Sequence, residues 1–358
     1  MSSPDADGPT RQPESVSLWV NDHKLKTWAG KAVGAGFSEV VDLDPKLFRA
    51  GPNVLVAQAH DRRPDASRGE SAPLVVAGPP VVGTPKLHGL FVGVADFSGV
   101  ATGPNGEVLP DLRYSVNDAQ EVRDAWKKQV KSGKWAAGTF TLLAEKEATP
   151  EAVVKALRAV AKDAAADDLV VFHLSGHGWG REAKDGGKYG REAFAFVGPK
   201  FDLRRYQDTG LTSETLYDEL AAIPARKLLL LDACHSGGVA TDGVRALTPE
   251  GRGPPMIAAA RPDEVAFEHP AYGHSLLSKA LIDALTRDFA AADRDHNDRL
   301  EADELGDYAA RKVPELLARL DPLLPPKDRG KRQQPQVFPP AFAPAPAGPR
   351  PVAWLPAK

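Results

Sequence analysis

Leu228-Leu229-Leu230-Leu231-Asp232-Ala233-Cys234-His235-Ser236-Gly237-Gly238 sets an apolar run against a thiol and then against small residues. Four consecutive leucines closed by small residues read as a strand buried on both faces, so the run delivers Cys234 to a turn at the strand's end. A second apolar stretch, Asp168 to Leu174, closes in Ser175-Gly176-His177-Gly178 and brings an imidazole to an equivalent turn. A free thiol has a pKa of about 8.5 and stays protonated at neutral pH until a neighbouring base takes or shares its proton. Cys234, the only cysteine in the chain, and His177 therefore form a candidate nucleophile and base. His235 is the rival base, but adjacent residues of an extended chain point to opposite sides, which favours His177. The alternatives are an inert buried thiol and a histidine that only packs.

Ser-Gly-His-Gly followed by Asp-Ala-Cys-His-Ser-Gly, each behind a hydrophobic strand, resembles the caspase-like cysteine peptidases, and within them the metacaspase and prokaryotic caspase-homologue branch. The resemblance runs from about Leu87 to Phe338. It implies that His177 is the general base and Cys234 the nucleophile. It also implies an oxyanion hole made by the backbone N–H groups of Gly178 and Cys234, a role that asks for glycine-like freedom at the turn.

At 358 residues the chain is long enough for one large domain and a smaller one. A formal net charge of -3 gives no reason to expect nucleic acid or an anionic membrane as partner. A single cysteine excludes an internal disulfide and fits a reducing compartment. Met1 to Ser15 is polar, without the apolar core of a secretion signal, and no apolar run approaches about 18 residues. The expected location is the cytoplasm.

Residues 1–15 read as a disordered lead. Residues 16–78 carry short β-rich pieces, Val16 to Val20, Glu39 to Leu43 and Asn53 to Ala59, separated by turn signals; this spacing predicts a small β-sandwich. It resembles the immunoglobulin-like module that precedes caspase-like domains, shortened at its front. A missing strand would leave an open edge, so either Ser15 to Val20 pairs onto the larger domain or a longer chain has been cut. Residues 79–86 are a Pro/Gly-rich linker.

From 87 to 340 strands and helices alternate. Leu90 to Val94 and Phe140 to Leu143 are strands; Ala119, Val122 and Trp126 line a helix face; Thr149-Pro150-Glu151 is an N-cap signature, and Thr212 caps another helix. The order βαβαβαβ predicts a three-layer α/β domain, with a mostly parallel central sheet, helices on both faces and functional groups beyond the carboxyl ends of the strands. Met256 to Ala260 is a fifth strand, helices follow from about His274 to Arg287 and Ala302 to Leu320, and Gln336 to Phe338 is a short last strand. Residues 341–358 form a loosely held Pro/Ala-rich tail.

In the branch this chain resembles, the first specificity pocket is acidic and admits Arg or Lys. The matching positions are Asp118, Ser115, Ser175 and Asp232. Two carboxylates in one cavity favour a guanidinium, because bidentate charge-assisted bonds offset its desolvation. Ser115 stands where the family often has cysteine. Arg113 complicates the reading, since an arginine in this region of eukaryotic caspases reads aspartate. The competing reading makes Asp118 a helix-start residue and Asp232 an acceptor of backbone hydrogen bonds.

Asp293, Asp295, Asn297 and Glu304 fall at positions 1, 3, 5 and 12 of a calcium-loop template. Asp298 stands at position 6, where the template wants Gly. A calcium loop and a metal-free capped helix-loop-helix both fit the stretch, and the reading requires no cofactor. Gly237 to Pro255, with Arg245 and Arg252, and Gly180 to Gly190, with Lys184 and Lys188, read as long connections open to cleavage by the protein itself or by an upstream protease. The expected function is a cysteine endopeptidase cutting protein or peptide substrates after Arg or Lys, with the N-terminal module serving docking, inhibition or a larger assembly. The alternatives are a silent caspase-like scaffold, a peptidase with acidic preference, and a calcium sensor.

Overall fold

A computed structural model describes residues 13–30, 33–34, 36–60, 69–100, 108–187, 190–235, 254–261, 264–338 and 351–354, with the backbone alone for 180–187, 190–194, 234, 235, 338 and 351. Near the N-terminus, β1 (Ser15–Val20) and β2 (His23–Ala29) form a hairpin whose two-residue turn is Asn21-Asp22. Asn21 adopts φ 55, a left-handed value that Asn tolerates better than most residues. With β3 (Gly51–His60), β4 (Gly69–Glu70) and β5 (Leu74–Gly78) they make one antiparallel sheet, ordered β2–β1–β3–β4 with β5 also on β3. The β-rich module expected from the sequence is thus a single sheet. Among the described residues no second sheet covers it, and the larger domain does so instead.

That domain contains β6 (Lys86–Gly93), α1 (Ser115–Val130), β7 (Ala136–Ala144), α2 (Pro150–Asp163), β8 (Leu169–Gly187), β9 (Gly190–Phe196), α3 (Tyr206–Thr209), β10 (Leu211–Thr212), α4 (Ser213–Ala221) and β11 (Arg226–His235). It continues through β12 (Met256–Ala258), β13 (Glu268–His269), β14 (His274–Ser275), α5 (Leu276–Leu285), α6 (Phe289–Ala292), β15 (Arg299–Glu301), α7 (Ala302–Leu320), β16 (Gln336–Phe338) and β17 (Pro351–Trp354). The caps read from the sequence form: Thr149 Oγ1 accepts the Ala152 N–H at 3.2 Å and Thr212 Oγ1 the Thr215 N–H at 3.1 Å.

Strands β7, β6, β8, β11 and β12 lie side by side in parallel, and β16 closes the β12 edge antiparallel. Their two-residue alternation divides one sheet between two cores. Leu87, Phe91, Leu169, Val171, Leu228 and Leu230 face a core built with α1, α5 and α7; Leu90, Val92, Val170, Phe172, Leu229 and Leu231 face one built with α2 and α4. The helices therefore cover both faces, as the βα alternation implies.

Strand β8 outruns its neighbour. β6 pairs with it only to Ser175, and from Gly178 onward β9 takes the same edge antiparallel, followed by β10. Of the segment expected to be an open connection, Gly180 to Gly187 belongs to β8, and Lys184 lies within that strand. Lys188, Arg245 and Arg252 lie outside the described residues. The tail also departs from expectation. β17 pairs antiparallel with β15, Val352 and Ala353 are buried, and the Trp354 ring meets that of Trp135 edge-on at 5.1 Å. Apolar burial holds these four residues against the domain.

The N-terminal sheet docks where β8 and β11 begin. Trp19 packs with Tyr217 and Ala221 of α4, and His23 Nδ1 donates to the Ala221 carbonyl at 2.9 Å. Asp22 accepts from Arg49 and lies 3.1 Å from Lys227 Nζ on β11. Ser15 to Val20 pairs within its own sheet and reaches the larger domain through side chains, not as an added strand.

Candidate active site

The pairing register places the two motifs in one line. β8 and β11 align Ser175 with Asp232 and, two residues on, His177 with Cys234; β6 adds Gly93 beside Ser175. Both His177 and Cys234 lie inside paired strands, β8 and β11. Backbone pairing continues through both, because β9 takes over the edge that β6 leaves and β11 stays on the other. The glycine freedom expected at Gly178 is used instead at Gly176, whose φ is +155. A Cβ there would lie 2.8 Å from the Phe196 ring, so the position demands glycine. Gly93 has a different reason. A Cβ on it would lie 2.5 Å from the Ser115 carbonyl oxygen, and its absence lets α1 settle on β6.

His177 is buried, with the Phe97 ring 4.6 Å from its own. Its Nε2 donates to the carbonyl of Pro110 at 2.8 Å. A carbonyl can only accept, so this bond fixes the proton on Nε2 and leaves Nδ1 as the basic nitrogen. Among the described residues Nδ1 has no hydrogen-bond partner. Burial pulls the imidazole below its ordinary pKa, opposed by the Pro110 carbonyl and by the charges of Glu268 and Asp111. The ring is therefore neutral at physiological pH, as a general base must be. Pro110 acts through its backbone, which no sequence motif marks.

One row below, helix α1 carries Asp118 over Ser175, whose hydroxyl lies 3.4 Å from Oδ2. Ser115 opens the same helix and is buried. Asp118 accepts the Ser275 N–H at 3.3 Å and faces His274 Nδ1 at 2.7 Å. Asp232 sits at the N-terminus of α5, bonded by the hydroxyl of Ser275, by Ser278 N–H at 3.1 Å and by Ser278 Oγ at 2.6 Å. Helix N-termini favour a carboxylate. Burial pushes both acids upward: Asp118, beside Asp232, reaches about 7 despite His274, and Asp232 rises despite its serine donors. Glu268 adds a third carboxylate nearby, accepting the Arg113 N–H at 2.8 Å and the Tyr114 N–H at 3.0 Å. The Arg113 side chain is exposed.

Asp118, Ser115, Ser175 and Asp232 are thus gathered, with both acids bonded inside the protein. His274, Glu268, Ser275 and Ser278 escaped the sequence reading. Ser275 with Ser278 three residues on, ahead of an apolar run, is a capping signal that could have marked the start of α5 two residues after His274.

The acidic loop lies elsewhere, between α6 and α7. Carboxylate oxygens of Asp293, Asp295 and Glu304 converge within 4.8 Å. Asn297 turns its amide to Asp295 at 2.8 Å. The objection raised by Asp298 does not hold, since it takes the left-handed turn itself at φ 62. An all-oxygen set with a short β-segment, β15, after the turn suits calcium chemistry. Burial, and Glu304 beside it, push Glu301 up to about 7.

A family model described as the caspase domain, of a peptidase family, matches residues 88–341. The chain belongs to the caspase domain family, and its larger domain is a caspase-like peptidase domain. The solved structures that resemble it include protein GSU0716 from Geobacter sulfurreducens, with 17% sequence identity, a TM-score of 0.46, and coverage of 71% of this chain and 93% of that one. No curated protein matches significantly. Among the described residues no helix is long and apolar enough to cross a membrane.

Proposed function

We propose that this protein is a cysteine endopeptidase that cleaves after Arg or Lys. Cys234 attacks the scissile carbonyl after Nδ1 of His177 takes its proton; the same nitrogen returns that proton to the leaving amine, and water hydrolyses the thioester. The family resemblance assigns the developing oxyanion to the amides of Gly178 and Cys234. Asp118 and Asp232, with Ser175 and Ser115, receive the basic side chain. The observation that carries this reading is the register of His177 beside Cys234, with the imidazole tautomer set by Pro110. Three neighbouring carboxylates, Asp118, Asp232 and Glu268, oppose an acidic residue in the same pocket.

The test is turnover of a fluorogenic peptide ending in Arg, by the wild type beside Cys234→Ala, with and without calcium and after limited proteolysis. Hydrolysis by the wild type alone supports the reading. Equal traces from both proteins under every condition favour a binding scaffold, and faster cleavage of an Asp peptide refutes the pocket. Mass spectrometry of the stored protein reports processing, with Arg245, Arg252, Lys184 and Lys188 as the proposed positions.

A further inference from the structure

His274 holds a position that the reaction leaves unexplained. It is buried at the tip of the β13–β14 hairpin, one residue before α5 is capped, and each ring nitrogen meets a carboxylate. Nδ1 lies 2.7 Å from Asp118 Oδ1 and Nε2 lies 3.2 Å from Glu121 Oε2. Where Asp118 and Glu121 are ionised neither oxygen can donate, so an imidazole held between them carries a proton on both nitrogens and is a cation. The charges that act on it most strongly are the two carboxylates of α1. Helix α1 supplies Asp118 and Glu121, β11 supplies Asp232 through Ser275, and β13 supplies Glu268 and, in register, His269, whose Nδ1 accepts the Ala271 N–H. Asn117 Nδ2 approaches Nδ1 at 3.5 Å.

We propose that His274 is a resident counter-ion of the specificity pocket, which the basic side chain of a substrate displaces from Asp118, so that selection for Arg strengthens as pH rises. The inference rests on the basic-pocket reading of Asp118. A guanidinium arriving at Asp118 faces an imidazolium less than a side chain's width away, and two cations cannot share one buried carboxylate without cost. The imidazolium can yield by losing its proton to water, an exit an arginine in its place would lack. Binding of a P1 cation then releases the His274 proton, together with that of Asp118 where this acid is still protonated, and by linkage the affinity for the cation rises at least about tenfold per pH unit until His274 is neutral in the free protein. Burial opposes the imidazolium, but the Asp118 bond and Glu121 outweigh it and raise its pKa, which sets the upper end of the rise above the ordinary histidine range.

Two fluorogenic peptides that differ only in Arg or citrulline at P1 make the test, since citrulline keeps the shape and loses the charge. The ratio of their kcat/KM values between pH 5.5 and 8.5 cancels the titration of His177 and Cys234, which act on both. The wild-type ratio should climb at least about tenfold per pH unit and then level, with the climb in KM. His274→Arg should hold the ratio low at every pH. His274→Gln takes one proton out of the linkage, so its ratio should climb less steeply than the wild type's by about tenfold per pH unit, and equal climbs overturn the proposal. Should the variants not fold, benzamidine binding to Cys234→Ala by calorimetry, in buffers of different ionisation enthalpy, should release more at pH 6.5 than the one proton that Asp118 alone can supply. A ratio already high and flat across pH, or benzamidine binding that releases no more than that one proton, overturns the proposal and leaves the basic pocket standing. Turnover of both peptides with a ratio near unity at all pH overturns the basic pocket itself.

Discussion

Strand β11 carries a buried charged cluster at each end, and the two are built oppositely. At its start Lys227 and Arg49 share the single carboxylate of Asp22. At its far end Asp232 lies beside Asp118, with Glu268 close by and His274 the neighbouring cation. Burial would raise Asp22, but its two cations hold it at about 2, whereas Asp118 is left at about 7. The lysine bears the desolvation, falling to about 8. A surplus of cations on one acid makes a lock that stays ionised throughout the physiological range. A surplus of acids makes a site with an affinity for an added cation and a proton exchanging near neutrality. The first cluster fastens the N-terminal sheet, and the second lies one row from Cys234 in the strand register.

The comparison breaks first at the catalytic row. His177→Ala should lower peptide turnover at least about a thousandfold and cost about 1–3 kcal/mol in urea unfolding, because it leaves the Pro110 carbonyl without its donor; an unchanged rate would show that His235 or water serves as base. Asp22→Ala should leave turnover nearly intact and cost about 3–5 kcal/mol in urea unfolding, because it strands two buried cations. The lock also predicts a pH limit. Asp22 titrates at about 2 in the fold against 3.8 for the ordinary group, so its contribution, roughly 2 kcal/mol, is complete above pH 3.8 and disappears as pH falls through 2. Urea titrations from pH 5 to 2 check the sign.

Asp118→Asn should lower the Arg-to-citrulline ratio about a hundredfold and cost less stability at pH 8 than Asp22→Ala. The sign follows from its raised pKa: a carboxyl at about 7 in the fold against 3.8 unfolded favours the folded state at low pH and loses that contribution as pH rises through 7. The smallest effect is expected at the acidic loop. Calcium should raise Tm by a few degrees and give a titration heat that Glu304→Gln removes; no heat would return residues 293–304 to the metal-free cap.

The layers were legible because they rest on local patterns. Alternating leucines on β11, the face of Ala119, Val122 and Trp126 on α1, and the caps Thr149 and Thr212 each concern residues within a turn or two of one another. Shape beyond local pattern was not legible. Nothing in Gly180 to Gly190 shows that β9 would pair back onto β8, since pairing depends on the edge that β6 vacates. The sequence points to glycine freedom at Gly178, whereas the residue under positive φ is Gly176, where the Phe196 ring of another strand leaves no room for a side chain.

By itself the sequence determined an α/β domain with helices on both sheet faces, a β-rich module ahead of it, and two strands carrying Cys234 and His177, because periodicity and strand order follow from neighbours along the chain. Only the tertiary structure decided what the imidazole and the acids do. The carbonyl of Pro110 chooses the tautomer of His177 from 67 positions away, and His274 meets Asp118 across 156. The proton on a ring and the charge on a buried acid are set by what lies within about 3 Å in space, and distance along the chain carries no record of that.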